Sequence, residues 1–265
     1  MTIARLMAFA AVMTAATGSV HAAAPSLWSQ SFESDTSGWT SGIQGTSDFG
    51  TITRLTGPLA PFDGAAYARV TQGTTGAQKY APFTQWGGYN TTFPIATGYS
   101  TRLAVYLSPS TWTNGNGFDF SSAVSTPSGG FRRDFYFHVA VQANGDLLVG
   151  ADFTTTYAPR LNLAAGPNYK VTTDGWYQLE HIFSRNGAGV LVADLRLLDA
   201  AGNQLFSQVL SNGTDTIPTN VGGNRYGWFS FVQQPTYIDG ALIPAPGALA
   251  LLGLGGLTAA RRRRN

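Results

Sequence analysis

The chain has 265 residues with 43% hydrophobic, 12% aromatic and only 11% charged residues, and it contains 32 glycines and no cysteine. Abundant aromatics with little charge exclude a disordered chain, and the missing cysteine excludes a disulfide framework, a thiolate metal site and a cysteine nucleophile. The formal charge of +2 is carried by the two ends, because Arg5 and Arg261 to Arg264 supply five of the sixteen basic residues. The remaining eleven face fourteen acids, a net charge of −3, so the body has no positive stripe for nucleic acid.

Residues 1–22 have the order of a secretory leader. Arg5 forms the positive n-region, Leu6 to Ala16 the short apolar core, and Val20-His21-Ala22 the small-residue site at which signal peptidase is expected to cut, after Ala22.

From Leu27 to Leu242 short alternating runs are separated by Gly, Asn, Asp, Ser and Pro clusters, and no amphipathic helical stretch is evident. The runs Ala65–Val70, Thr101–Leu107, Phe135–Val141, Leu147–Phe153, Tyr177–Phe183, Leu191–Leu198, Trp228–Val232 and Tyr237–Leu242 predict strands of an all-β antiparallel sandwich or jelly roll over residues 23–242. Two hairpins have a testable register. A loop from Gln142 to Asp146 pairs Val141 with Leu147 and aligns two apolar faces, whereas a two-residue Asn144-Gly145 turn opposes them. A loop from Arg185 to Gly189 likewise sets Tyr177, Leu179, His181 and Phe183 against Leu197, Leu195, Ala193 and Leu191.

The polar face of the first hairpin carries Asp134, Tyr136, His138 and Asp152, with Arg132 and Arg133 at its edge. Tyrosine offers an apolar platform with a polar handle, and the acids and histidine can hydrogen-bond sugar hydroxyls. The face is either a binding site or a solvated or internally hydrogen-bonded sheet surface. Trp86, Tyr89 and Trp112 on glycine-rich loops are either sugar-stacking rings or lids over the ends of the sandwich. His181 lies on an apolar face and reads as a core residue. Glu180 and Asp194 form either a carboxylate pair across the second hairpin or, with Arg196 and Gln178, a structural ion cluster. No strand carries alternating glutamates and no G-x-S-x-G elbow occurs, so no catalytic residues are assigned.

The C-terminal stretch runs Ile243-Pro244-Ala245-Pro246-Gly247, then an apolar run from Ala248 to Ala260, then four arginines. Thirteen residues make roughly 20 Å of helix, short of a hydrocarbon core of about 30 Å. This tail, residues 243–265, resembles the PEP-CTERM sorting signals of Gram-negative bacteria, with Ala245 standing where the usual motif has glutamate. The resemblance implies export, cleavage by an exosortase near Pro244 and Pro246, and delivery to the cell surface, outer membrane or extracellular matrix, after a transient membrane association.

Ser31-Phe32-Glu33-Ser34, Gly38-Trp39, Asp174-Gly175-Trp176-Tyr177 and Tyr237-Ile238-Asp239 resemble motifs of concanavalin A-like jelly rolls, including laminin-G-like domains. That resemblance implies a glycan or surface-polymer ligand. It also suggests a structural Ca²⁺ where the first and last strands meet, with Glu33 and Asp239 as ligands, although the same acids also read as plain exposed carboxylates. Three functions remain open: a non-catalytic polysaccharide binder, an extracellular glycan hydrolase or lyase, and a structural or adhesin module without a small ligand.

Overall fold

The structure is a computed structural model, and it describes residues 26–40, 50–73, 80–88, 90–154 and 163–244. The expected leader with Ala22, Tyr89, Pro246 and the apolar tail with its helix lie outside the described residues, and of Pro244 only the backbone is within them. Two antiparallel sheets face each other. The first runs β13 (Gln204–Thr216), β12 (Val190–Asp199), β11 (Gly175–Arg185), β6 (Tyr99–Leu107), β15 (Thr236–Pro244), β4 (Tyr67–Thr71) and β3 (Thr51–Leu55), with β1 (Ser26–Gln30) also paired to β15. The second runs β10 (Asn168–Val171), β9 (Leu147–Thr154), β8 (Phe131–Val141), β7 (Gly117–Ser125), β14 (Asn224–Ser230), β5 (Tyr80–Thr84) and β2 (Trp39–Thr40). A single 3-10 turn at Leu163–Ala165 is the helical content of the described residues, and none of their helices is long and apolar enough to cross a membrane.

The side-chain alternation of the strands builds the core. In β12, Leu191, Ala193, Leu195 and Leu197 point inward and meet Phe118, Phe120, Phe135, Phe137 and Phe229 of the other sheet in one buried cluster. Each such ring removed from water contributes on the order of 1.5–3 kcal/mol. His181 shares this layer. Its ring stacks on Phe183 and meets Phe120 and Phe137 edge-on, its Nε2 lies 3.0 Å from the Phe135 carbonyl, and burial pushes its pKa down to about 3.

The first hairpin has the register expected of the longer loop: Val141 faces Leu147 and Phe135 faces Phe153. The second is displaced by two residues from the expectation. Leu179 faces Leu197, His181 faces Leu195 and Phe183 faces Ala193, because the strands extend to an Arg185–Leu191 pair before the chain turns. A two-residue slip returns every side chain to the same face, so the apolar pattern alone does not resist it.

Candidate functional site

The outer face of the second sheet, turned away from the core, carries the chemistry. Directly opposed pairs place Asp119 beside His138, Ser121 beside Tyr136, and Trp228 beside Ser121 on the next strand. Asp134, Tyr136, His138 and Asp152 therefore do share one face, and Asp152 stands opposite Tyr136. The sequence reading missed Asp119 and Trp228 as their neighbours. The Phe118-Asp119-Phe120 alternation was the available signal.

Three of the four expected residues are almost fully enclosed: Tyr136 is 1%, His138 2% and Asp134 4% exposed. His138 Nδ1 lies 2.7 Å from Asp119 Oδ1, and the Tyr136 and His138 rings stack with centroids 5.7 Å apart. Asp134 accepts a 2.6 Å bond from the Ser121 hydroxyl, and the polar groups of Tyr136 and Trp228 nearby also favour its charged form. Burial nonetheless pushes its carboxyl up to about 6. Asp152 is half-buried and accepts the Phe153 N–H at 2.8 Å. Phe83, Tyr136 and Trp228 form a small aromatic cluster with Tyr226 packed on it, separate from the main core.

At the end of this face, beside the β8–β9 turn, lies a cleft of about 920 Å³. Five side-chain amides line it, those of Asn114, Gln142, Asn144, Asn168 and Gln233, together with Asp119, Leu148, Phe231 and an ion pair in which Lys170 Nζ is 2.6 Å from Asp146 Oδ1. Asn168 donates to the carbonyls of Leu163 and Gly166, which leaves its own carbonyl oxygen as an acceptor. Phe231 holds φ at +49°, a left-handed conformation that a bulky residue adopts only when its surroundings impose it.

At the opposite end of the face, two irregular registers flank the end of β7, one against β8 and one against β14. Bulges re-aim side chains. Here Phe131, 37% exposed, lies parallel to Tyr226 with centroids 6.5 Å apart, and the Arg225 guanidinium sits 5.0 Å from the Tyr226 ring.

Trp86 is not an exposed stacking ring. It is 2% exposed and packs against Trp28 and Phe120, closing the sandwich. Trp112 is half-buried on Phe118 and caps the core near Asn114, without lining the cleft. Glu180 does not pair with Asp194. It is bound by Arg102 from the adjacent β6, while Asp194 takes Arg196 at 2.6 Å and the Ser207 hydroxyl at 2.5 Å. Arg132 and Arg133 both reach Asp215 on the first sheet.

Glu33 and Asp239 converge on one loop, where both carboxylates hold backbone N–H groups. Glu33 accepts the N–H groups of Ala65 and Ala66, and Asp239 accepts those of Phe62, Asp63 and Gly240. Both oxygens of each acid accept at least one backbone N–H. Among the described residues no group of three or more His, Cys, Asp or Glu is arranged to hold a metal ion.

No protein-family profile matches the sequence, and no curated protein matches it. Among solved structures, an alginate lyase from the marine Aplysia kurodai is 12% identical, with 84% of this chain and 100% of that one covered and a TM-score of 0.49. An endo-β-1,4-glucuronan lyase from the fungus Trichoderma reesei is 10% identical over 83% of this chain and 95% of that one, with a TM-score of 0.48. A carbohydrate esterase from the Shiga toxin-encoding bacteriophage phi24B is 17% identical over 83% and 98%, with a TM-score of 0.47. Likenesses this distant carry no argument about what the chain binds.

Proposed function

We propose that this chain is an exported surface or matrix protein that binds polysaccharide without cleaving it, in the cleft at the end of the second sheet's outer face. One observation carries the reading: five side-chain amides and two aromatic or aliphatic walls, Phe231 and Leu148, converge on one cleft. An amide both donates and accepts, as a sugar hydroxyl does, and an apolar wall suits the C–H face of a sugar ring. Against hydrolysis, the two carboxylates of the cleft are already engaged, Asp119 by His138 and Asp146 by Lys170. A glycosidase needs one acid held protonated and a second free to act on the sugar. The leader over residues 1–22 and the tail over 243–265 support processing by signal peptidase and exosortase and a surface destination.

A lyase is the second reading, because Tyr136, His138 and Asp119 form a stacked and oriented acid–base set. A glycan array on the full chain, followed by product analysis of each polymer bound, separates the readings. Binding without released oligosaccharide supports the first, and unsaturated products establish the second. Failure to bind any polymer leaves a structural module.

A further inference from the structure

The charges around the cleft are few and already matched. Among the described residues that line it, Asp119, Asp146 and Lys170 are the ionisable ones. Lys170 is spent on Asp146 at 2.6 Å, and Asn144 supports the same carboxylate at 3.2 Å. His138, the nearest further group able to carry positive charge, is bonded to Asp119. Beyond them the same face adds the carboxyls of Asp134 and Asp152. Its described cation at the far end, Arg225, lies over the Tyr226 ring and donates to the Gly129 carbonyl at 3.3 Å.

A polyuronate brings one carboxylate per sugar ring. Binding it requires cations that face the ligand and are not consumed within the protein, and elimination from it requires the same neutralisation at the acid group. The lining acids outnumber the lining cations by two to one, and the single lysine, its side chain 55% exposed, is paired with one of them. The amides make the opposite demand: Gln142, Asn144 and Asn168 direct N–H groups to partners within the protein, so that Asn114 and Gln233 supply donors and the amide oxygens of Gln142 and Asn168 acceptors, a lining without net charge that matches hydroxyl and acetamido groups.

We propose that the cleft selects an uncharged glycan, built of hexoses or N-acetylhexosamines, and discriminates against polyuronates. This inference rests on the reading of the cleft as a polysaccharide site and names the class of its ligand.

The test measures affinity of the full chain for a neutral β-glucan, an N-acetylhexosamine polymer, a polymannuronate and a polyglucuronate, at 20 and 300 mM NaCl. At least one neutral polymer is expected to bind tenfold or more tightly than either polyuronate, with a gap that narrows at high salt as repulsion is screened. Asp146→Asn, which releases Lys170, is expected to raise the uronate-to-neutral affinity ratio at least threefold. The salt comparison on the unmodified chain gives the same information if that variant misfolds. A polyuronate bound as tightly as the best neutral glycan overturns this inference while leaving the binding function intact. No binding of any polymer overturns both.

Discussion

His138 Nδ1 stands 2.7 Å from Asp119 Oδ1, and the two residues are directly opposed across the β7–β8 ladder. The bond fixes the imidazole at the threshold of the cleft, since Asp119 lines the cleft and His138 lies behind it. Hydrogen bonds to charged groups in such enclosure are worth about 1.5–3 kcal/mol. Asp119→Ala is expected to cost that much stability. A double-mutant cycle with His138→Gln, read by urea denaturation, is expected to give a coupling energy of about 1 kcal/mol or more. Additivity of the two single changes would show that the pair is adjacent without being coupled.

Stability against pH is expected to be the sum of opposed contributions. Asp134 has a folded pKa of about 6, raised by burial, so the fold holds its proton more tightly than the unfolded chain. Its contribution is fully present below the unfolded value near 4 and is lost as pH rises through about 6, a change of about 3 kcal/mol. Asp239, pushed up to about 7 chiefly by burial, acts with the same sign to a slightly higher pH. His181, held neutral at a pKa of about 3, acts oppositely: its contribution is present above about 6.5 and is lost as pH falls toward 3. Asp134→Asn therefore steepens acid destabilisation, while His181→Phe leaves a protein that gains stability between pH 6 and 4. Urea midpoints from pH 3 to 8 read both, and parallel profiles in the two variants would refute the assignment.

The strands that were legible are those whose residues alternate apolar and polar, such as Leu191–Leu198 and Phe135–Val141. β7 was harder to see because both of its faces are buried: Ser121, Ser122 and Ser125 are 0% exposed, so polarity no longer marks the outside. That strand supplies Asp119, and the cleft's amides come from turns and from β10, far apart in sequence. Trp86 shows the same limit from the other side. Its glycine neighbours suggested an exposed loop, yet Gly87 and Gly227 are small because Trp28 and Trp86 press on them, at 2.5 Å and 2.4 Å from where a Cβ would stand. The direction of a carboxylate's partners is equally invisible in sequence, which is why Glu33 and Asp239 read as cation ligands and are found holding backbone N–H groups.

Gly64 tests that last arrangement. It holds φ at +67°, and a Cβ there would lie 2.3 Å from Glu33 Oε1. Gly64→Ala is expected to displace the Glu33 carboxylate from Ala65 and Ala66 and to cost about 1–3 kcal/mol from backbone strain and the lost anchor. Faster amide exchange over residues 62–66 is the local signature. Because N–H donors occupy the acids, excess Ca²⁺ or a chelator is expected to leave Tm within about 1 °C. A Ca²⁺-dependent rise of several degrees would restore the ion to Glu33 and Asp239.

Asp215 makes the sharpest stability prediction. Consecutive strand residues normally point to opposite faces, yet Arg132 and Arg133 both bind this one carboxylate. The register shift that separates the Val124–Arg133 pair from the Ser125–Phe131 pair makes this possible, because Arg132 is the unpaired residue of a bulge. The two arginines belong to the second sheet and Asp215 to the first, so the cluster ties the sheets together at the β13 edge. The Asp215 side chain is only 1% exposed, and Arg133 also lies 5.0 Å over the Phe153 ring. Asp215→Ala strands two guanidinium groups, one of them buried, and is expected to cost about 3–5 kcal/mol. Arg132→Ala removes the more exposed partner and is expected to cost about 1 kcal/mol. Because the Asp215–Arg133 contact is shielded, the loss at Asp215 should persist in 0.5 M NaCl, while the loss at Arg132 should shrink. Chemical denaturation of both variants at two salt concentrations reads the difference, and a cost at Asp215 below about 1 kcal/mol would mean that the sheets hold together without the clamp.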